Sequence, residues 1–173
     1  MSRLRGLILF NSSSTVGNNI KIIGKKSIQA GRNLGIGDSS RLEAFANYND
    51  EDFKPVINIG NNCSFGNFLH IGAISEINIG DGVLGGSGIL IIDHNHGHVD
   101  TSSLKSETRP ALRSLVHKGK ITIEENVWIG DDVKILGGAH IGRGCIVQAN
   151  TIVSKSIPPY SICTDRNKIL ELK

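Results

Sequence analysis

The sequence predicts an all-β solenoid, and three observations predict it. From Ile123, every sixth residue is a branched aliphatic, through Ile129, Ile135, Ile141, Val147 and Val153. The same period runs upstream, where Ile59 leads to Phe65, Ile71 and Ile77, and Val16 leads to Ile22, Ile28 and Leu34. Glycine fills 21 of the 173 positions while aromatic residues make up 5%, a mixture that disfavours a helical bundle. A period of six fits neither the 3.6 of a helix nor the plain alternation of a strand. It fits a short strand and a turn, repeated as one facet of a coiled sheet.

At this length the chain is one domain, residues 1–173. With 39% hydrophobic and 20% charged residues it is too apolar for a disordered chain. No apolar run approaches the roughly 18 residues of a membrane helix. The opening to Phe10 has two basic residues and a brief apolar patch with no cleavage pattern after it, which points to the cytoplasm. Cys63, Cys145 and Cys163 are odd in number and widely spaced, as buried thiols are, not a disulfide framework or zinc knuckle. The net charge of +3 comes without a basic run interleaved with aromatics, so nucleic acid is not an expected partner.

In chain order, residues 1–15 are expected to cap the first coil, since a solenoid end must not expose its stack. In the later hexads, Val127, Val133, Ala139, Cys145 and Thr151 stand two places before each aliphatic and face inward beside it. Gly and Asn suit the left-handed corners. The register slips after Ile77, which is followed by Ile79 and Gly80. The rhythm then breaks once, between Gly97 and Ile121, so residues 97–120 leave the coil as a loop. In it Lys105, Arg109, Arg113, Lys118 and Lys120 outnumber Asp100 and Glu107. Such insertions form binding surfaces, here for an anionic acceptor, or are merely solvated. Pro158 and Pro159 lack amide donors and end the last coil, leaving 162–173 as a tail.

The pairs Ile36-Gly37, Ile59-Gly60, Ile71-Gly72, Ile79-Gly80, Ile129-Gly130 and Ile141-Gly142 resemble the hexapeptide repeat of left-handed parallel β-helix acyltransferases. Three C-terminal segments, Ile123 to Gly130 with Val127-Trp-Ile-Gly130, Ile135 to Gly142, and Ile152 to Ser161, resemble the closing coils of the galactoside, maltose and polysaccharide O-acetyltransferases. Ile91-Ile-Asp-His-Asn-His-Gly97 resembles the histidine segment of the bacterial polysaccharide branch. The resemblance implies a triangular prism with about 18 residues per coil. It also implies a homotrimer with active sites between subunits, and acetyl-CoA as donor without a metal.

By position, the family's catalytic histidine falls on His94. A sugar hydroxyl attacks a thioester well only as a base takes its proton, and imidazole, with an ordinary pKa near 6.5, suits that task. In the resembling enzymes attack is direct and a backbone amide stabilises the oxyanion. Asp93 or a backbone carbonyl would fix the tautomer of His94. Successive residues of a strand point opposite ways, so Asp93 reaches only through a turn. His96 either shares the side of His94 and assists, or is a surface histidine. The resemblance carries the donor groove onto Trp128, Asp131, Ala149, Ser154 and Lys155, with Trp128 at the acetyl end and Lys155 at a phosphate. Trp128 equally suits a trimer interface, and Ala149 and Ser154 equally suit coil corners. The ending departs from the family's Gly-x-Pro: this chain reads Thr164-Asp-Arg-Asn-Lys168, leaving Arg166 or Lys168 to meet the 3′-phosphate. Asn67 is the candidate for the acceptor sugar, and is equally a turn residue.

The expected function is acetyl-CoA-dependent O-acetylation of a carbohydrate hydroxyl in a surface polysaccharide, such as capsule, O-antigen or exopolysaccharide. Three alternatives stand beside it. One is N-acetylation of an amino sugar on the same fold. Another is zinc chemistry of the gamma-carbonic-anhydrase kind, using His94, His96 and His98 or the distant His70, His117 and His140. The third is a scaffold without activity.

Overall fold

Aliphatics spaced six apart line one interior only if the chain turns after every short strand, and it does. The computed structural model describes residues 2–10, 13–101, 107–164 and 169–171. Its strands form three parallel sheets, wound as a left-handed β-helix. The first face carries Gly35–Ile36, Ser64–Phe65, Leu84–Gly85, Trp128–Ile129 and Ile146–Val147; the second carries Lys21–Ile23, Arg41–Ala44, His70–Ala73, Leu90–Ile92, Lys134–Leu136 and Ile152–Val153. The third carries Ile28–Ala30, Val56–Ile59, Glu76–Ile79, Ile121–Ile123, His140–Ile141 and Ser156–Ile157.

Ile129 pairs with Val147, and Ile135 with Val153, each 18 residues on. Two coils earlier, Phe65 pairs with Gly85 and Ile57 with Ile77, each 20 residues on. The slip after Ile77 is therefore a longer coil, with Ile77 and Ile79 both buried. The six-step aliphatics from Ile123 to Val153 are all buried, as are the residues two places before them. Each such burial contributes about 1.5–3 kcal/mol, shared among coils that cannot stand alone.

The corner between the first and second faces turns through left-handed residues in successive coils: Asn19, Ser39, Phe68, Gly88, Asp132 and Asn150. Five of the six are small or polar residues that adopt this backbone readily. A phenylalanine there costs about 1–2 kcal/mol. Side chains brace the same corner in a vertical ladder. Asp38 N–H donates to Asn67 Oδ1 (2.8 Å), Asn67 N–H to Ser87 Oγ (3.2 Å) and Ser87 N–H to Asp131 Oδ1 (2.6 Å).

The segment expected to cap the first coil is a helix, α1 (Arg3–Phe10). Ser2 bridges to Val16 and Phe10 packs against the core. At the far end the sequence reading needs correction. Pro158 and Pro159 do not end the coil, because Ser161–Cys163 adds to the first face beside Ile146–Val147, and Ile169–Glu171 folds back antiparallel on it. Gly142 N–H donates up to Ile157 O (2.9 Å). Carbonyls of this coil accept from amides below, so the missing proline donors leave no acceptor of the lower coil unmet.

A second correction concerns the single break. The chain leaves the prism twice. Residues 45–54 carry a hairpin of Asn47–Tyr48 and Glu51–Asp52, closed through Asn49 and Asp50 with φ of 47° and 63°, as a two-residue hairpin turn requires. The longer excursion begins with His94–His96 paired antiparallel to Leu115–His117. Its base is clamped where Lys118 N–H donates to Asp93 O (2.8 Å) and Gly138 N–H to Gly119 O (3.1 Å). A Cβ on Gly137 would lie 2.6 Å from Lys118 Cβ, so glycine there permits the approach. The two excursions dock together: Tyr48 OH and Asn49 Nδ2 both donate to Ala111 O, at 2.7 and 3.1 Å, and Ser114 Oγ donates to Glu51.

Candidate active site

The second face delivers Leu90–Ile92 to a corner, where a bend at Asp93 turns the chain out of the prism. Both Asp93 and His94 are buried there, 0% and 5% exposed. Ile74 N–H donates to Asp93 Oδ1 (3.0 Å) and Ser75 N–H to Oδ2 (2.8 Å). Oδ1 also lies 2.9 Å from His94 Nδ1. A carboxylate fed by two amides can only accept, so the imidazole donates through Nδ1 and its basic nitrogen is Nε2. The bend lets neighbouring residues meet that a straight strand would turn apart. Phe45 meets the His94 ring edge-on at 5.8 Å.

A second imidazole lies one coil below. Arg41 donates to His70 Nδ1 (2.9 Å), so His70 donates through Nε2 to Glu43 Oε2 (3.0 Å). Lys21 Nζ is 2.7 Å from the other oxygen of Glu43, whose side chain is 4% exposed. Burial pushes the Glu43 carboxyl up, but the Lys21 hydrogen bond and the charges of Arg41, Lys21 and His70 outweigh it, holding the pKa below its ordinary value. Burial, then Arg41, lowers the pKa of His70 against the pull of Glu43. Gly72 separates the two rings: its missing Cβ would lie 3.5 Å from His70 Nε2 and 3.6 Å from His94 Cε1.

His94 lines a cleft of about 210 Å³ with Ile92, Asn95, Lys118, Leu136, Gly137 and Ser154. On the first face a larger groove, about 860 Å³, is lined by residues including Trp128, Asp131, Ile146, Ala149 and Ile162. The expected donor residues thus divide. Trp128, Asp131 and Ala149 share the groove, whereas Ser154 sits with His94 on the second face. Lys155 is exposed at the corner beyond Ile152–Val153 and lines neither space. Arg166 and Lys168 lie outside the described residues. Asn67 is committed through Oδ1 to Asp38 N–H, so only its amide NH₂ could meet a sugar. His96 does not join His94: it is exposed, and its Nδ1 lies 3.2 Å from Tyr48 OH in the seam between the excursions. His98 lines a separate cleft in the long excursion with Arg113. Among the described residues no group of three His, Cys, Asp or Glu side chains converges as a metal site would require.

Sequence reasoning passed over Glu43, Phe45 and Tyr48, and weighed His70 only as a distant zinc ligand. The turn pair Asn49-Asp50 was the available signal for the hairpin. The cluster around Glu43 spans three coils and had no local signature.

Residues 120–155 match the bacterial transferase hexapeptide (six repeats) model. WbbJ of Escherichia coli, whose name assigns it O-acetyl transfer in lipopolysaccharide biosynthesis, is 34% identical over 138 residues, 79% of this chain and 66% of its own length. The chain carries the bacterial transferase hexapeptide repeat over residues 120–155. This hexapeptide-repeat chain is also 30% identical over 135 residues to Rv3034c of Mycobacterium tuberculosis, an acetyltransferase by name, covering 78% of this chain and 40% of that protein. It therefore spans less than two thirds of either relative. Among solved structures it resembles AntD, an N-acyltransferase from Bacillus cereus complexed with dTDP-4-amino-4,6-dideoxyglucose and coenzyme A. The TM-score is 0.71 at 19% identity, over 100% of this chain and 88% of that one. A maltose O-acetyltransferase from Clostridium difficile gives a TM-score of 0.57 at 22% identity, over 95% and 70%. Likeness at these identities concerns the fold.

Proposed function

We propose that this chain is an acetyl-CoA-dependent O-acetyltransferase of a carbohydrate hydroxyl, acting in the cytoplasm on a surface polysaccharide or its precursor. The observation that carries the reading is the buried Asp93–His94 pair. Nε2 of His94 takes the proton as the acceptor oxygen bonds to the thioester carbonyl carbon. The tetrahedral intermediate collapses, its carbon–sulfur bond breaks, and the departing thiolate receives the proton back from the imidazolium. The products are an acetyl ester and free coenzyme A. Asp93 holds the ring in register and stabilises the imidazolium, as a buried carboxylate does beside a catalytic histidine. A backbone amide is the oxyanion donor in this scheme. The names of WbbJ and of the maltose enzyme support sugar O-acetylation, and the coenzyme A in AntD supports the donor.

The Trp128 groove takes the pantetheine arm, with Asp131 and Ala149 along it and Lys155 near a phosphate. That groove and the His94 cleft are on different faces, and a face about five residues wide spans roughly 16 Å. A thioester cannot touch both in one chain, which supports assembly as a homotrimer in which each site joins the groove of one subunit to His94 of the next. The exposed column Leu84, Trp128 and Ile162 is apolar surface of the kind such an interface covers. No helix among the described residues is long and apolar enough to cross a membrane.

The test is thioester consumption across a panel of glycosides by wild type and His94→Ala. Loss of about 10²–10⁴-fold in turnover, with folding intact, is expected for removal of a general base. Full turnover by a folded His94→Ala protein refutes the assignment. Release of the product acetyl group by mild alkali identifies an ester; an alkali-stable product assigns N-acetylation instead.

A further inference from the structure

We propose that Phe68 is the stacking platform for the acceptor sugar, an assignment that rests on the carbohydrate-acetyltransferase reading above. Phe68 holds φ at 59°, while the other left-handed positions of its corner are Asn19, Ser39, Gly88, Asp132 and Asn150. The turn therefore has no need of an aromatic side chain. Nor does the core, because Phe68 is 62% exposed. The residue carries both the strain of a bulky left-handed position and the cost of a wetted ring, and the chain itself recovers neither. Strain of this kind, uncompensated within the fold, marks a position used from outside.

Its surroundings identify the kind of ligand. Phe68 N–H donates to Asp38 O (2.9 Å), and Asn67 and Ser87 flank it in the corner ladder. A single aromatic ring fringed by amide, hydroxyl and carboxylate groups suits a pyranose, whose apolar C–H face packs on the ring while its hydroxyls meet the polar fringe. A protein partner would instead favour a contiguous apolar patch.

Location fits as well. Gly88 N–H donates to Asn67 O (2.8 Å) and Gly66 N–H to Gly86 O (3.0 Å), so the corner of Phe68 lies directly beneath Gly86, the lowest residue lining the Trp128 groove. An acceptor on Phe68 would sit where the donor groove ends, within reach of the Asn67 amide.

Phe68→Asn tests this without threatening the fold, since Asn150 already occupies the equivalent corner two coils above Gly88. Saturation-transfer NMR with the methyl glycosides of glucose, galactose and N-acetylglucosamine should show transfer to the ring C–H protons of at least one. Phe68→Asn should weaken that binding by about tenfold, Phe68→Trp should keep it, and coenzyme A affinity should be unchanged in both. No saturation of any glycoside by wild type, or equal binding by Phe68→Asn, overturns the proposal. Dissociation of Phe68→Asn into monomers, read by sedimentation, overturns it too, by making the ring an interface residue. Failure of the broader reading has its own signature, the absence of coenzyme A binding by wild type.

Discussion

The carboxylate of Asp93 accepts from two backbone amides and one imidazole, so the residue that orients His94 also ties the bend to the coil below. Placement of the ring is thus a by-product of closing the corner, at no separate cost in side-chain freedom. Thr151 is the opposite case. Its Oγ1 is buried without a hydrogen-bond partner among the described residues, at a position that Val133 and Ile89 fill in lower coils. An unmet hydroxyl costs about 1–3 kcal/mol. Thr151→Val should therefore raise the melting temperature by about 2–4 °C, and a lower one would mean that the hydroxyl has a use. The histidine group at 94–98 stood out in the sequence because it sits at the edge of a broken repeat, and the family resemblance pointed to His94 within it. The Asp93 contact was foreseen only as one of two alternatives, conditional on a turn, because strand alternation points neighbours apart.

At the scale of elements, the second face stacks Lys21, Arg41, Glu43 and His70 over three coils beneath the site. Both titratable members have depressed folded pKa values, from 6.5 for His70 and 4.5 for Glu43. As pH falls, the unfolded chain binds these protons first, so their stabilisation is complete above the ordinary values and is lost on acidification. His70 loses its share from about pH 6.5 downward and Glu43 from about 4.5 downward. Thermal melts should show wild type losing stability between pH 7 and 5, with a shallower slope in His70→Gln. Equal slopes would remove His70 from the account. This cluster was illegible in sequence because Lys21 and His70 each lie 20 or more residues from Arg41 and Glu43 and meet them only through the parallel register. The hairpin at residues 45–54 escaped for another reason: the series from Val16 and the series from Ile59 are out of phase, and the gap between them was not recognised as a detour.

For the whole molecule, cohesion is collective, and the interior column is where a single change does most harm. Ile135→Val should cost about 0.5–1.5 kcal/mol. Ile135→Asp should prevent folding, read as loss of the β signal in circular dichroism, because a carboxylate there has no partner in an apolar stack. A folded aspartate variant would contradict the packing described. The repeat was legible through its period; the separation of Ser154 and Lys155 from the Trp128 groove was not, because outward residues of a solenoid obey no period.

The central claim is that this β-helix holds coenzyme A in the Trp128 groove within reach of His94. Calorimetric titration of coenzyme A into the native assembly tests it most directly, since no acceptor need be known. The account predicts micromolar affinity with about one site per chain, weakened by about tenfold in Trp128→Ala. Absence of binding at millimolar coenzyme A, by a folded wild-type protein, would contradict it.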